Sequence, residues 1–430
     1  MVQEKKNYTL PIIVMFFMFG MIAFVTGFQN PFGVILKGQL ELSNFQSQLG
    51  NAANFIAYAF MGLPAGMILQ KKGYKFSSIA AVLVGLLGVI LMFVSSYMPH
   101  SSVFAVYLIG ALVAGFSMCM LNTVVNPMLN TLGGGGKKGN QLIQFGGATN
   151  SLAATICPVL VGYLMGSDLN KCTFVDARMA LYIAMAIFAV ALVVLLASKL
   201  PEPILEEIAK GGKTEEPKLK EVFGFRHYIG GVIAIFLYVG IEVGIPNIAN
   251  LYMTTGIEQG GLGILPSVAG SLVGMYWFLM LIGRLVGGSI GGKVSSKAML
   301  STVATAAIVL LVAAILCPKD ITVAVPGVSS TLSFTTVQAP LSVLFFIFCG
   351  LCTSVMWGGI YNLAVEGLGK YTAVASGFFM VMVCGGGILP LIQGAVADVA
   401  GYVNSYWVLV IAVAYLLFYA LVGSKIKTQK

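Results

Sequence analysis

Long apolar segments, separated by short polar stretches, recur along the whole chain. A run of about 20 mainly apolar residues is long enough to cross a bilayer as an α-helix. We predict twelve such spans, and they cover residues 10–33, 45–69, 76–97, 102–132, 141–166, 177–199, 227–253, 263–292, 297–317, 338–366, 371–397 and 403–424. The predicted fold class is therefore an all-α membrane protein.

The composition supports a membrane protein and argues against an enzyme. The chain is 58% hydrophobic and 9% charged, with a mean hydropathy of +0.94, whereas soluble proteins are about 25% charged. The sequence shows no nucleotide-binding motif, no metal-type cysteine spacing and no hydrolytic cluster. We therefore predict no enzymatic activity and no cofactor or metal, and we expect the lipid bilayer and a small solute as partners of a monomer.

The positions of the basic residues predict the orientation. An even number of spans places both termini on one side of the membrane. The termini and the loops on that side hold 19 of the 24 Lys and Arg residues, and the opposite loops hold four. Cytoplasmic loops carry such an excess, so both termini are predicted to be cytoplasmic. The net charge of +9 has the same origin and does not indicate a nucleic-acid partner.

A charged segment divides the spans into six and six. We predict an N-terminal half at 1–200, a cytoplasmic linker at 201–226 and a C-terminal half at 227–430. The halves echo each other, since "GMILQKKGYK" after span 2 and "GSIGGKVSSK" after span 8 share Gly, Lys and Lys at positions one, six and ten. Two repeated halves are typical of secondary transporters, which bind solute near the bilayer midplane between the halves.

Amide side chains inside the apolar spans are candidates for the solute site. Asn122 and Asn126 are four residues apart on span 4 and share one face of the helix. An amide donates and accepts hydrogen bonds, which suits a solute with hydroxyl groups; the alternative is a bond to a neighbouring helix. Gln29 and Asn30 precede a proline late in span 1, and Asn150 lies on span 5. These three are further candidates for substrate binding.

Glu242 is the only acidic residue that we place near the bilayer midplane. Ionisable residues inside a membrane are costly and functional by default. We predict that Glu242 binds substrate or the coupling cation, and the alternative is a structural hydrogen bond to another helix.

Arg284 and Glu366 lie nearer the cytoplasmic face, and we predict that they pair there as a gate. Asp398 is expected to be solvated at the outer end of span 11.

Aromatic side chains on two spans of the second half are candidates for stacking on an apolar face of the solute. They are Tyr276 and Trp277 on span 8, and Trp357 and Tyr361 on span 10. Asn362 adjoins the second pair and is a candidate for the same site. Packing between helices and at the membrane interface is the alternative for every aromatic residue.

Several segments resemble a known family of transporters. The segment at 66–75 resembles the loop signature of the major facilitator superfamily, with Gln70 where an aspartate is usual. The segments "LSNFQSQLGNAANFIAYAFMGLPAGMILQKKGYK", "NTVVNPMLNTLG", "ATNSLAATICPVLVGYLMG", "FLYVGIEVGIPN", "GRLVGGSIGGK" and "AVEGLGKYTAVASG" are similar to the fucose–galactose–glucose symporter family. The resemblance implies a twelve-helix fold in two pseudo-symmetric halves, alternating access by rocking and a monosaccharide substrate.

The chain departs from this family at residues that matter for coupling. The resemblance implies one acidic residue late in helix 1 and another in helix 4, used in sugar binding and proton coupling. This chain has Asn30 and Asn122 there, and Gly147 replaces a helix-5 glutamine, while the helix-5 asparagine is kept as Asn150.

We expect a cation-coupled importer of a neutral hexose or deoxyhexose in a bacterial inner membrane. A sugar uniporter, or a transporter of an amino sugar, a sialic acid or an exported drug, remains open, as does proton or sodium coupling.

Overall fold

The chain forms two groups of helices. The structure is a computed structural model and describes residues 8–133, 136–165, 172–202, 205, 219–291, 293–329, 333–368 and 371–426. The N-half contains α1 (Thr9–Gly27), α2 (Gln29–Leu40), α3 (Asn44–Ser47), α4 (Leu49–Ser95), α5 (His100–Leu132), α6 (Gly136–Met165) and α7 (Arg178–Ala197). After the short α8 (Leu219–Val222), the C-half contains α9 (Arg226–Thr254), α10 (Pro266–Ile290), α11 (Ser296–Leu316), α12 (Leu341–Thr353), α13 (Met356–Val365), α14 (Thr372–Val381), α15 (Gly385–Ala400) and α16 (Trp407–Phe418).

Short elements complete the fold. Turns of 3₁₀ helix occur at Ile257–Gln259, Met382–Cys384 and Asn404–Tyr406, and a π-helical turn at Tyr419–Gly423 follows α16. Between α11 and α12, β1 (Thr322–Val328) pairs with β2 (Phe334–Pro340) as an antiparallel ladder. The backbone N–H of Val328 donates to Ser271 Oγ at 2.9 Å, so this ladder rests on α10.

The twelve predicted spans are confirmed. Ten stretches of the described chain are long and apolar enough to cross a membrane, and Phe145–Val161 is a shorter apolar helix in the position of span 5. One of the ten, Leu49–Ser95, contains both span 2 and span 3. It is interrupted at Gly73, whose φ of 79° is not helical.

The turn between spans 2 and 3 is fastened to the start of the linker. The Glu202 carboxylate accepts hydrogen bonds from the backbone N–H groups of Tyr74 and Lys75, both at 2.7 Å. A Cβ atom on Gly73 would collide with that carboxylate. The Lys75 ammonium donates to the Ser198 carbonyl at 2.8 Å. Gly73 and Lys75 of the segment at 66–75 therefore have structural roles in anchoring this turn.

The two halves meet along two seams of close helix contact. In one, α4 runs along α14 and α15, and a Cβ on Gly387 would lie 2.8 Å from the Ala52 carbonyl oxygen. In the other, α6 runs along α10, and a Cβ on Gly274 would lie 3.0 Å from the Thr155 carbonyl oxygen. Small residues allow such approach between membrane helices. We call the end of the bundle opposite the start of α1 the far end; the α2–α3 and α9–α10 connections lie there.

Candidate functional site

Glu242 and Arg284 form an ion pair in the interior of the bundle. Arg284 Nη2 donates to Glu242 Oε1 at 3.1 Å, and each side chain is only 13% exposed. Nη1 of the same guanidinium donates to the Gly147 carbonyl at 2.7 Å and to Ser151 Oγ at 2.8 Å. Arg284 and Glu242 belong to the C-half, whereas Gly147 and Ser151 belong to α6 of the N-half. One guanidinium therefore neutralises the central carboxylate and joins the two halves.

The ion pair that we predicted between Arg284 and Glu366 is wrong. Glu366 is exposed and follows α13, and its backbone carbonyl accepts a hydrogen bond from His227 Nε2 at 2.8 Å. The Arg284 side chain instead reaches toward Glu242 near the middle of α9. The arginine backbone lies toward the end of α10, but its side chain is long enough to carry the charge about one helical turn away. A gating role for Arg284 or Glu366 stays a prediction.

Buried tyrosines hold the backbone around the ion pair. The Tyr276 hydroxyl donates to the Glu242 carbonyl at 3.1 Å and shares a hydrogen bond with Thr353 Oγ1 at 3.0 Å. The Tyr238 hydroxyl donates to the Thr353 carbonyl at 3.1 Å. Tyr276 is 1% exposed. In this conformation its ring is buried beside the ion pair and is not available for stacking on a sugar.

The two amides predicted on span 4 lie together on α5. Asn122 Nδ2 donates to the Tyr58 hydroxyl at 2.7 Å and to the Met118 carbonyl at 3.2 Å, and Asn126 Nδ2 donates to the Asn122 carbonyl at 2.9 Å. Both side chains are half-buried. Asn122 thus bonds to a neighbouring helix and keeps part of its surface open. Tyr58 was missed by the sequence analysis, because a tyrosine in an apolar span has no distinguishing pattern.

The remaining predicted amides are placed differently. Asn150 on α6 donates from Nδ2 to the Phe19 carbonyl of α1 at 3.1 Å and is half-buried. Gln29 and Asn30 open α2, but their side chains lie outside the described part of the structure. Asn362 is exposed on α13. A role in substrate binding stays a prediction for all four residues.

The predicted aromatic residues form two groups in the C-half. The Trp357 ring lies 6.2 Å from that of Tyr238 and 6.0 Å from that of Phe379, and the Tyr361 ring lies 5.3 Å from that of Phe379. Trp277 packs edge-on against Tyr276 at 5.2 Å. Trp357, Tyr361 and Trp277 are half-buried, so each ring presents some of its surface while neighbours fix its orientation.

This arrangement is suited to holding a neutral, hydroxyl-rich solute and a cation. Half-buried amides offer donors and acceptors, aromatic edges and faces offer apolar contact, and the Glu242 carboxylate in the interior can take a proton or contribute oxygen ligands. Among the described residues no group of three or more His, Cys, Asp and Glu side chains has the arrangement of a metal site.

Comparisons with known proteins match nearly the whole chain. The profile of the Major Facilitator Superfamily matches residues 15–389. A glucose/galactose transporter from Brucella abortus is 28% identical over 432 residues, which cover 98% of this chain and 96% of the relative. A putative glucose/galactose transporter from Helicobacter pylori is 26% identical, with 98% of each chain covered. The crystal structure of the Escherichia coli fucose:proton symporter has a TM-score of 0.68 at 19% identity, covering 98% of this chain and 100% of that one. That likeness shows the fold.

Proposed function

Because this chain belongs to the major facilitator superfamily, we propose that it is a secondary active transporter that imports a small neutral sugar, a hexose or deoxyhexose, together with a cation. Two relatives that align over 98% of the chain are named as glucose/galactose transporters, one of them putatively. The half-buried amides and aromatic rings of the interior are the groups that a monosaccharide needs for hydrogen bonding and stacking.

The observation that carries the proposal is the contact of one guanidinium with both halves in the membrane interior. Arg284 bonds to Glu242 of the C-half and to Gly147 and Ser151 of the N-half. Secondary transporters bind their solute at such an interface between repeats and move the halves around it. Because Glu242 already neutralises Arg284, an anionic solute would have to displace a carboxylate. The pair therefore favours a neutral sugar over a sialic acid.

We propose that Glu242 carries the coupling cation, either a proton or sodium. Asn30 and Asn122, which stand where the resemblance implies acidic residues, cannot exchange protons near neutral pH. When Glu242 gains a proton or shares its charge with sodium, its attraction for Arg284 weakens. The guanidinium is then free to change its contacts with α6, which links cation binding to the relative position of the halves.

Uptake into proteoliposomes tests the function. Labelled glucose, galactose and fucose are offered with an inward sodium gradient, an inward proton gradient or neither, with empty liposomes as the control. We expect at least one sugar to accumulate under one of the gradients. Equilibration without accumulation under either gradient would identify a uniporter and remove the coupling argument, and failure to transport any sugar of the panel would contradict the proposal.

The variant Glu242→Gln tests the coupling residue. The amide keeps the size and an acceptor oxygen but cannot take up a proton or supply a negative charge. We expect it to abolish accumulation while it spares sugar exchange in counterflow, because exchange need not move the cation. Accumulation by Glu242→Gln at the parent level would show that coupling lies elsewhere.

The membrane orientation is part of the same proposal. The excess of basic residues on the side of the termini supports cytoplasmic termini in a bacterial inner membrane, with the far end facing outward. In a background with Cys172→Ser and Cys317→Ser, a membrane-impermeant thiol reagent on whole cells should label a cysteine placed at Glu258, which is exposed at the far end. It should not label one placed at Lys425 until the cells are opened.

A further inference from the structure

We propose that a cluster of polar contacts at the far end is the gate that closes the solute pathway on that side, with Lys37 and Asp398 as its charged members. This inference rests on the proposed transport function, because a gate has meaning only where a solute passes. We call the cluster the far-end latch. It consists of Lys37, Asn44, Thr255, Asp398 and Tyr402.

Lys37 joins the halves through neutral oxygens. Its Nζ donates to Asn44 Oδ1 at 2.7 Å, to the Tyr402 hydroxyl at 2.9 Å and to Thr255 Oγ1 at 3.2 Å. An ammonium has three N–H donors, so all of them are used. Asn44 belongs to the N-half, whereas Thr255 and Tyr402 belong to the C-half, and these three acceptors are 8%, 8% and 5% exposed.

Asp398 makes the second connection from the opposite half. Its Oδ1 accepts from the backbone N–H of Asn44 at 2.9 Å, and its Oδ2 accepts from that of Phe45 at 3.0 Å. Both N–H groups are at the start of α3 in the N-half. The sequence analysis expected Asp398 to be solvated, and its side chain is exposed. Its carboxylate in addition holds the backbone of Asn44, the residue whose side chain binds Lys37. The two charges are thus linked through Asn44.

The contacts between the halves continue inward from the latch. Asn247 Nδ2 donates to Gln48 Oε1 at 3.0 Å, and both residues are 4% exposed. One step further, Asn51 Nδ2 donates to the Gly386 carbonyl at 2.9 Å. Each bond has one partner in each half, so the halves cannot separate at the far end unless the bonds break.

The chemistry of the latch suits a reversible gate. Opening would admit water, which replaces each lost hydrogen bond, so the net free energy of each bond is small compared with its strength in an apolar interior. Among the residues that the structure describes, neither Lys37 nor Asp398 forms an ion pair, so opening the far end would break no salt bridge of theirs with a described residue. Several weak contacts, each of which water can replace, can therefore hold the far end closed and still let it open.

The test measures the position of the halves directly. Spin labels are placed at Ser101 of the N-half and Glu258 of the C-half, both exposed at the far end, in a background with Cys172→Ser and Cys317→Ser. Distances are recorded by double electron–electron resonance in lipid nanodiscs without sugar. We expect Lys37→Met and Asp398→Asn each to raise the ratio of far-end-open to far-end-closed molecules about tenfold. Lys37→Met removes two hydrogen bonds between the halves and Asp398→Asn removes one, and water replaces each of them on opening.

Matched controls come from the same end of the protein. Lys319 and Asp320 are exposed there, so Lys319→Met and Asp320→Asn change charge equally without touching the latch and should leave the distances unchanged. Distances in Lys37→Met and Asp398→Asn that equal those of the controls would overturn the proposal. If either latch variant fails to fold, Thr255→Val and Tyr402→Phe remove the acceptors of Lys37 from the C-half and serve the same test. Because no sugar is present, a failure here is separate from a failure to transport the sugar panel.

Discussion

Removing the charge of Arg284 alone should destabilise the protein more than removing it together with the charge of Glu242. The variants are Arg284→Met, Glu242→Gln and the double variant. Arg284→Met leaves the Glu242 carboxylate 13% exposed without its cation. Glu242→Gln keeps an acceptor oxygen for the guanidinium, and the double variant leaves neither charge behind.

The geometry sets the size of the effect. Opposite unit charges about 4 Å apart attract by about 4 kcal/mol at an effective dielectric constant of 20, and removing one partner of a buried pair typically costs about 3–5 kcal/mol. Arg284→Met also loses two bonds to α6, each worth about 1 kcal/mol net. We therefore expect a loss of about 5–7 kcal/mol for Arg284→Met. For the double variant we expect a loss of about 2–3 kcal/mol, because only the bonds to α6 and packing are lost.

Equilibrium unfolding in mixed detergent micelles measures these free energies for the parent, both single variants and the double variant. The expected signature is non-additivity, with the double variant at least about 2 kcal/mol more stable than the sum of the single losses predicts. Arg178→Met is a matched control, since Arg178 bonds to Ser96 and stacks on Tyr97 away from Glu242. Its loss should add to that of Glu242→Gln. Additive losses for the Arg284 pair as well would refute the reasoning.

Two further predictions concern the amide pair and the turn after span 2. Asn122→Ala should reduce the initial rate of sugar uptake at least about tenfold with normal amounts of folded protein, whereas Tyr58→Phe should cost less, because Asn122 keeps its second bond; unchanged uptake kinetics in Asn122→Ala would assign it to helix packing. Gly73→Ala should destabilise the protein by about 1–2 kcal/mol or more, because its φ is positive and its Cβ would meet Glu202. Gly66→Ala, with open space around its Cβ, is the control, and equal unfolding midpoints would contradict the argument.

The spans could be predicted from sequence because the bilayer imposes one strong rule. Backbone polar groups in a bilayer must be satisfied within a helix, so length and hydropathy alone determine where helices lie. The same reasoning placed Glu242 near the middle of α9. It also found Asn122 and Asn126 on one face of α5, because helical spacing is a local property.

The partners of these residues could not be predicted in the same way. Hydropathy gives the depth of a backbone position but not the direction in which its side chain points or the helix that it faces. Arg284 shows the consequence: the depth of its backbone suggested Glu366, but a flexible side chain carried its guanidinium to Glu242. Lys37 was counted only as a loop charge, because the contacts that define its role come from residues 255 and 402, more than 200 positions away in the sequence.

The two connections between the halves differ in what can change them. The far-end latch holds its charges with neutral oxygens and backbone N–H groups, so a cation that binds in the middle of the membrane leaves it untouched. The contact of Arg284 with α6 depends directly on Glu242, because the carboxylate and the α6 oxygens share one guanidinium. We therefore infer a division of roles. The latch sets how strongly the far end prefers to stay closed, and Glu242 transmits the arrival of the cation through Arg284. Latch variants should then shift the resting distances without abolishing coupling, whereas Glu242→Gln should abolish coupling while the far-end contacts remain intact.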